Sequence, residues 1–72
     1  MFLRLWQFHV RPNLIREFCA AYGPDGEWAA LFRRGSGYVG TELLEARSVP
    51  ATYLSIDRWG SREAWDAFLR AH

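Results

Sequence analysis

Hydrophobic and polar positions alternate, pass into a spacing of three and four, and alternate again along this chain, and that succession predicts its elements. Phe2 to Val10 is dense in aromatic and aliphatic residues and stops at Arg11-Pro12. It reads as a strand followed by a helix with proline in the first turn. Side chains alternate along a strand, so Trp6, Phe8 and Val10 share one side and Leu3, Leu5, Gln7 and His9 the other. Neither side is plainly solvent. Leu14, Ile15, Phe18, Cys19 and Tyr22 then recur at the intervals of an amphipathic helix with one buried stripe.

Gly23-Pro24-Asp25-Gly26 ends that helix, with Asp25 placed to cap the next. Trp28, Leu31 and Phe32 predict a second, short helix, closed by Arg33-Arg34 near the negative end of its dipole, and Gly35-Ser36-Gly37 is a loop. Tyr38 to Glu45 reads as a strand, Ala46 to Pro50 as a hairpin loop, and Tyr53 to Trp59 as the returning strand. In that last strand Leu54 and Ile56 face one way, and Tyr53, Ser55, Asp57 and Trp59 the other. Ser61 caps a final helix whose first turn holds Glu63 and whose buried stripe is Ala64, Trp65, Phe68 and Leu69. The order is strand, helix, short helix, strand, strand, helix: a single α+β domain over residues 1–72.

Composition narrows the picture. Half of the 72 residues are hydrophobic and 17% are aromatic, so the chain must fold and hide its rings. A domain this small buries only about 60% of the surface its unfolded form exposes, which favours burying the remainder against a partner. All nine basic residues are arginine, scattered among eight acidic ones for a net charge of +1. That pattern excludes the basic face of a nucleic-acid binder. Cys19, the sole cysteine, makes no internal disulfide and reads as a small buried hydrophobe. Arg4 interrupts the amino terminus too early for a signal peptide, and no run approaches the ~20 apolar residues of a membrane span. A cytoplasmic protein with no membrane partner is the expectation.

Three stretches read together carry a resemblance: Leu31-Phe32-Arg33-Arg34 through Gly37-Tyr38-Val39-Gly40-Thr41-Glu42-Leu43-Leu44, then Tyr53 to Trp59, then Ser61 to Phe68. The chain resembles, over nearly its whole length, the antibiotic biosynthesis monooxygenase family of the dimeric α+β barrel superfamily. The resemblance implies a ferredoxin-like fold, an antiparallel sheet with helices on one face, in the order β-α-β-β-α. A ferredoxin-like domain has a fourth strand after the last helix, beside the first; here it is either absent or truncated from the sequence. Phe2 to Val10 is then expected to be an open edge loaded with Phe, Leu and Trp, which proteins normally cover. The resemblance also implies a homodimer whose sheets meet face to face, with Leu3, Leu5, Tyr53 and Trp59 on the expected meeting face.

Members of that family that oxygenate polycyclic phenols are regarded as working without metal, flavin or haem, because the deprotonated substrate itself passes an electron to oxygen. The resemblance therefore implies no cofactor, and a pocket between helices and sheet. Here Trp6, Phe8, Phe18, Tyr22, Trp28, Phe32, Trp65 and Phe68 would line it and seat a small aromatic ligand. The same rings are also what a small core packs, so core and pocket stay open as alternatives. A haem-degrading branch uses an Asn on the first strand, a Trp on the last helix and a His beyond it. This chain departs from it on each count, with Trp6 and Gln7, then Phe68 with Trp65 a turn earlier, then a terminal His72.

His9, Asp57 and Tyr53 are the acid-base candidates. With the first and last strands as neighbours, the alternation sets His9 near Tyr53, Ser55 or Asp57, where a carboxylate makes it a usable base near neutral pH. The same groups would otherwise form a polar cluster across the dimer interface. No residues have metal-ligand spacing, no serine sits in a nucleophile motif, and the glycines form no phosphate loop. Three functions follow: a cofactor-independent oxygenase of small aromatic substrates, a non-catalytic dimeric module that binds a ligand or stabilises an assembly, and an isomerase or lyase using His9.

Overall fold

Three strands and three α-helices form where the periodicity places them in a computed structural model that describes residues 1–72. They are β1 (Phe2–His9), α1 (Ile15–Tyr22), α2 (Glu27–Phe32), β2 (Tyr38–Glu45), β3 (Thr52–Trp59) and α3 (Arg62–Ala71). A 3-10 turn at Pro12–Leu14 leads into α1, with proline at the position where a missing N–H costs nothing. Ser61 caps α3 as expected, its Oγ accepting the Ala64 N–H at 3.0 Å. Asp25 does not cap α2. Gly26 holds that position, because a Cβ there would sit 2.2 Å from the Ala21 carbonyl oxygen where α1 crosses the start of α2.

The sheet is antiparallel with strand order β1-β3-β2, so the last strand in sequence is the central one and β1 is an edge. The order β1-β3-β2 is that of three of the four strands of a ferredoxin-like fold. The pairing of β1 with β3 runs Phe2 to Trp59, Arg4 to Asp57, Trp6 to Ser55 and Phe8 to Tyr53. That register overturns the expected division of faces. Tyr53 and Trp59 do not join Leu3 and Leu5 on an open face; they lie with Phe2, Trp6 and Phe8 beneath the helices, both buried. A register shift of one residue moves every side chain of a strand to the opposite face, and alternation within a strand does not reveal which register is adopted.

Trp59 is the centre of the core, with none of its surface exposed. Its ring centroid lies 5.1 Å from Phe68, 5.3 Å from Tyr38, 5.3 Å from Trp65 and 5.9 Å from Phe32, mostly edge to face. Each such pair contributes about 0.5–1.5 kcal/mol beyond the area it buries. Gly35 makes room for this ring, since a Cβ there would approach Trp59 Cζ3 to 2.7 Å. The indole Nε1 of Trp59 is buried without an acceptor. A second cluster joins Phe8, Phe18, Tyr22 and Tyr53, with Phe18 stacked on Tyr22 at 4.7 Å.

The other face of the sheet carries no helix. Leu3, Leu5, Leu44, Leu54 and Ile56 stand there, with an ion pair between Arg58 and Glu42 among them. Its apolar side chains are only partly covered, Leu5 retaining 56% of its exposure.

Candidate functional site

Between the helical layer and the sheet lies an open cleft of about 600 Å³, within the range of small-molecule sites. Its floor is written by the register. Arg4, Asp57 and Thr41 occupy one row across all three strands, and Trp6 and Ser55 stand in the next. The walls are Tyr22 from α1, Trp28, Leu31 and Phe32 from α2, and Trp65, Phe68, Leu69 and His72 from the last helix and its end.

All the rings expected at a pocket line this cleft except Phe18, which stands behind Tyr22. Of the acid-base candidates, Asp57 lines the cleft, whereas Tyr53 and His9 do not. The expected approach of His9 to Asp57 does not occur. His9 pairs with Thr52 on β3, its Nδ1 lies 3.1 Å from Thr52 Oγ1, and the register turns it to the face away from Asp57. Tyr53 is held among aromatic rings instead, and burial pushes its phenol above the ordinary value, with Glu45 and Cys19 adding to the effect.

Asp57 retains only 4% of its exposure. Thr41 Oγ1 donates to its Oδ1 at 2.8 Å, and Tyr38 in turn donates its hydroxyl to Thr41. Burial raises the Asp57 carboxyl above its usual range, outweighing the Thr41 hydrogen bond and the attraction of Arg4, which both lower it. The Arg4 guanidinium lies over two indoles, its Cζ 4.9 Å from the Trp6 ring centre and 4.7 Å from that of Trp65. The ion pairs of the molecule, Arg58 with Glu42 and Arg62 with Asp66, do not include it. No three His, Cys, Asp or Glu side chains group as they would around a metal ion.

Arg4 and Thr41 escaped the sequence reading as cleft residues, and Ser55 entered it only as a neighbour of His9. For Arg4 a signal was present: it is the one charge among Phe2 to Phe8, and it shares its parity with Trp6 and Phe8. A charge on the aromatic side of a strand is costly unless something uses it. His72, set aside there as a chain end, lines the cleft with its ring 4.8 Å from Phe68.

Fold and site together define a ferredoxin-like α+β domain built around an aromatic cleft with one buried carboxylate and one guanidinium on its floor. The family model for antibiotic biosynthesis monooxygenase matches residues 1–72, and the chain belongs to that family. No curated protein and no solved structure matches it. Membership supports a monooxygenase-like function at the level of the family. No helix is long and apolar enough to cross a membrane.

Proposed function

We propose that this protein is a cofactor-independent oxygenase of flat aromatic phenols bound in the cleft. One observation carries the reading: the rings pack side by side around an open space instead of filling it, with Trp6 49% and Trp28 45% exposed. A core that merely packed its aromatics would bury them. Asp57 supplies the polar group such a reaction needs at the bottom of the cleft. Its raised carboxyl value lets it take a proton from an acidic substrate and later return it.

The electrons come from the substrate. Proton transfer to Asp57 leaves a delocalised carbanion or phenolate, which passes one electron to dioxygen to give a substrate radical and superoxide. Their recombination forms a carbon–oxygen bond, and the proton held by Asp57 completes a hydroperoxide. Loss of water from it leaves one oxygen atom on a quinone product and the other in water. The surrounding rings exclude bulk water and orient the planar substrate.

The uncovered sheet face supports a homodimer, with a second copy burying Leu3, Leu5, Leu44, Leu54 and Ile56. Both parts are testable. With a hydroxyanthrone as substrate, oxygen uptake and quinone absorbance should rise well above the spontaneous rate and fall sharply in Asp57→Asn. Tight binding of the compound with no acceleration would leave a ligand-binding module and sink the oxygenase.

A further inference from the structure

Arg4 is the one basic residue that lines the cleft, and the fold gives it neither an ion pair nor a hydrogen bond. It is half-buried on the cleft floor and is held over the rings of Trp6 and Trp65. Attraction between a guanidinium and the ring quadrupoles of indoles uses none of its N–H groups as donors to an oxygen acceptor, so they stay available to one. Asp57 stands opposite Arg4 in the strand pairing and feels its charge, yet the two form no ion pair. A half-buried cation held against two aromatic rings with no acceptor in the chain keeps its N–H donors free for an anion that enters the cleft.

Its planar fork of parallel N–H donors matches the two oxygens of a carboxylate, which a point charge such as lysine does not. The rings that line the rest of the cleft match a flat aromatic body. We propose that Arg4 is the specificity-determining residue of the cleft, and that it selects aromatic molecules bearing a carboxylate. This rests on the cleft being the ligand site, as in the oxygenase reading. It adds to that reading the charge of the ligand and the residue that reads it.

The test uses anthraquinone-2-carboxylate and its uncharged carboxamide as probes, titrated calorimetrically into the whole chain and into R4Q and R4K. The parent should bind the carboxylate roughly 10- to 100-fold more tightly than the carboxamide, the range of a hydrogen-bonded charge pair. R4Q should lose that preference, its affinity for the carboxylate falling toward its affinity for the carboxamide. R4K, which keeps the charge without the fork, should fall between, and it carries the test if R4Q does not fold. Full preference retained in R4Q, or in R4K when R4Q does not fold, overturns the assignment of Arg4. Equal affinity of the parent for both probes overturns the carboxylate preference but leaves the oxygenase standing, since oxygen uptake is measured separately on a neutral hydroxyanthrone. Binding of neither probe overturns the carboxylate preference and the assignment of Arg4 together, while the oxygenase is decided by oxygen uptake alone.

Discussion

Thr41 Oγ1 donates to Asp57 Oδ1 at 2.8 Å across neighbouring strands, and this is the only protein hydrogen bond on that carboxylate. One neutral donor does not replace the hydration an ionised carboxylate loses on burial, which is why the group holds its proton more tightly than usual. A native value above the ordinary 3.8 means that the folded chain keeps a proton the unfolded chain has released. The contribution of Asp57 to stability is thus complete below 3.8 and is lost as pH rises through its native value. Asp57→Asn carries no charge to desolvate and can still accept from Thr41. It should gain stability relative to the parent as pH rises through that window, with the difference constant at more acid pH. Urea unfolding of both proteins from about pH 3 to about pH 8 measures this; a variant that loses ground on going to neutral pH would contradict it.

Trp59→Ala should unfold the domain. The ring is fully enclosed by Phe32, Tyr38, Trp65 and Phe68, and removing so large a buried ring costs roughly 3–5 kcal/mol, most of what a domain of this size has. Trp65 is only partly buried and faces the cleft, so Trp65→Ala should cost clearly less and instead weaken probe binding through the loss of a ring beneath Arg4. Thermal melts followed by circular dichroism separate the two; equal losses of stability would make Trp65 a core residue.

Leu5→Lys tests the open sheet face. In a single chain this side chain is 56% exposed, and a lysine there is nearly free. Across a dimer interface the same charge is buried without a partner, at a cost of several kcal/mol. The parent should sediment as a dimer at micromolar concentration and the variant as a folded monomer. A parent that sediments as a monomer would remove the dimer altogether.

Ala51 adopts φ of 57°, the left-handed region, in the loop between β2 and β3. Its carbonyl accepts the Val10 N–H at 2.8 Å, so the chain holds the residue there despite its Cβ. A non-glycine residue in this conformation costs roughly 1–2 kcal/mol, part of which glycine returns as entropy lost on folding. Ala51→Gly should therefore stabilise the domain by up to about 1 kcal/mol, read as a higher urea midpoint. A lower midpoint would show that the loop relaxes with alanine in place.

What the sequence determined by itself is local. The amphipathic spacing of Ile15 to Tyr22, the Ser61 cap, the breaks at Gly23-Pro24 and Gly35-Ser36-Gly37, and the three strands all follow from forces acting within a few residues. Most of the rings around the cleft were legible too, because an aromatic on the buried stripe of a helix or strand faces the layer between them. The tertiary structure decided what depends on register. Whether Asp57 faces His9 or Arg4 turns on a shift of one residue between β1 and β3, and nothing within either strand distinguishes the two. The pairing that exists lays the long rings of Trp59 and Tyr53 under the helices, where they bury most surface. Asp57 follows them inward because it shares their parity, and the same register sets Arg4 and Thr41 in line with it. The cleft's polar row is thus a consequence of packing between distant segments, and it exists only once the sheet has closed.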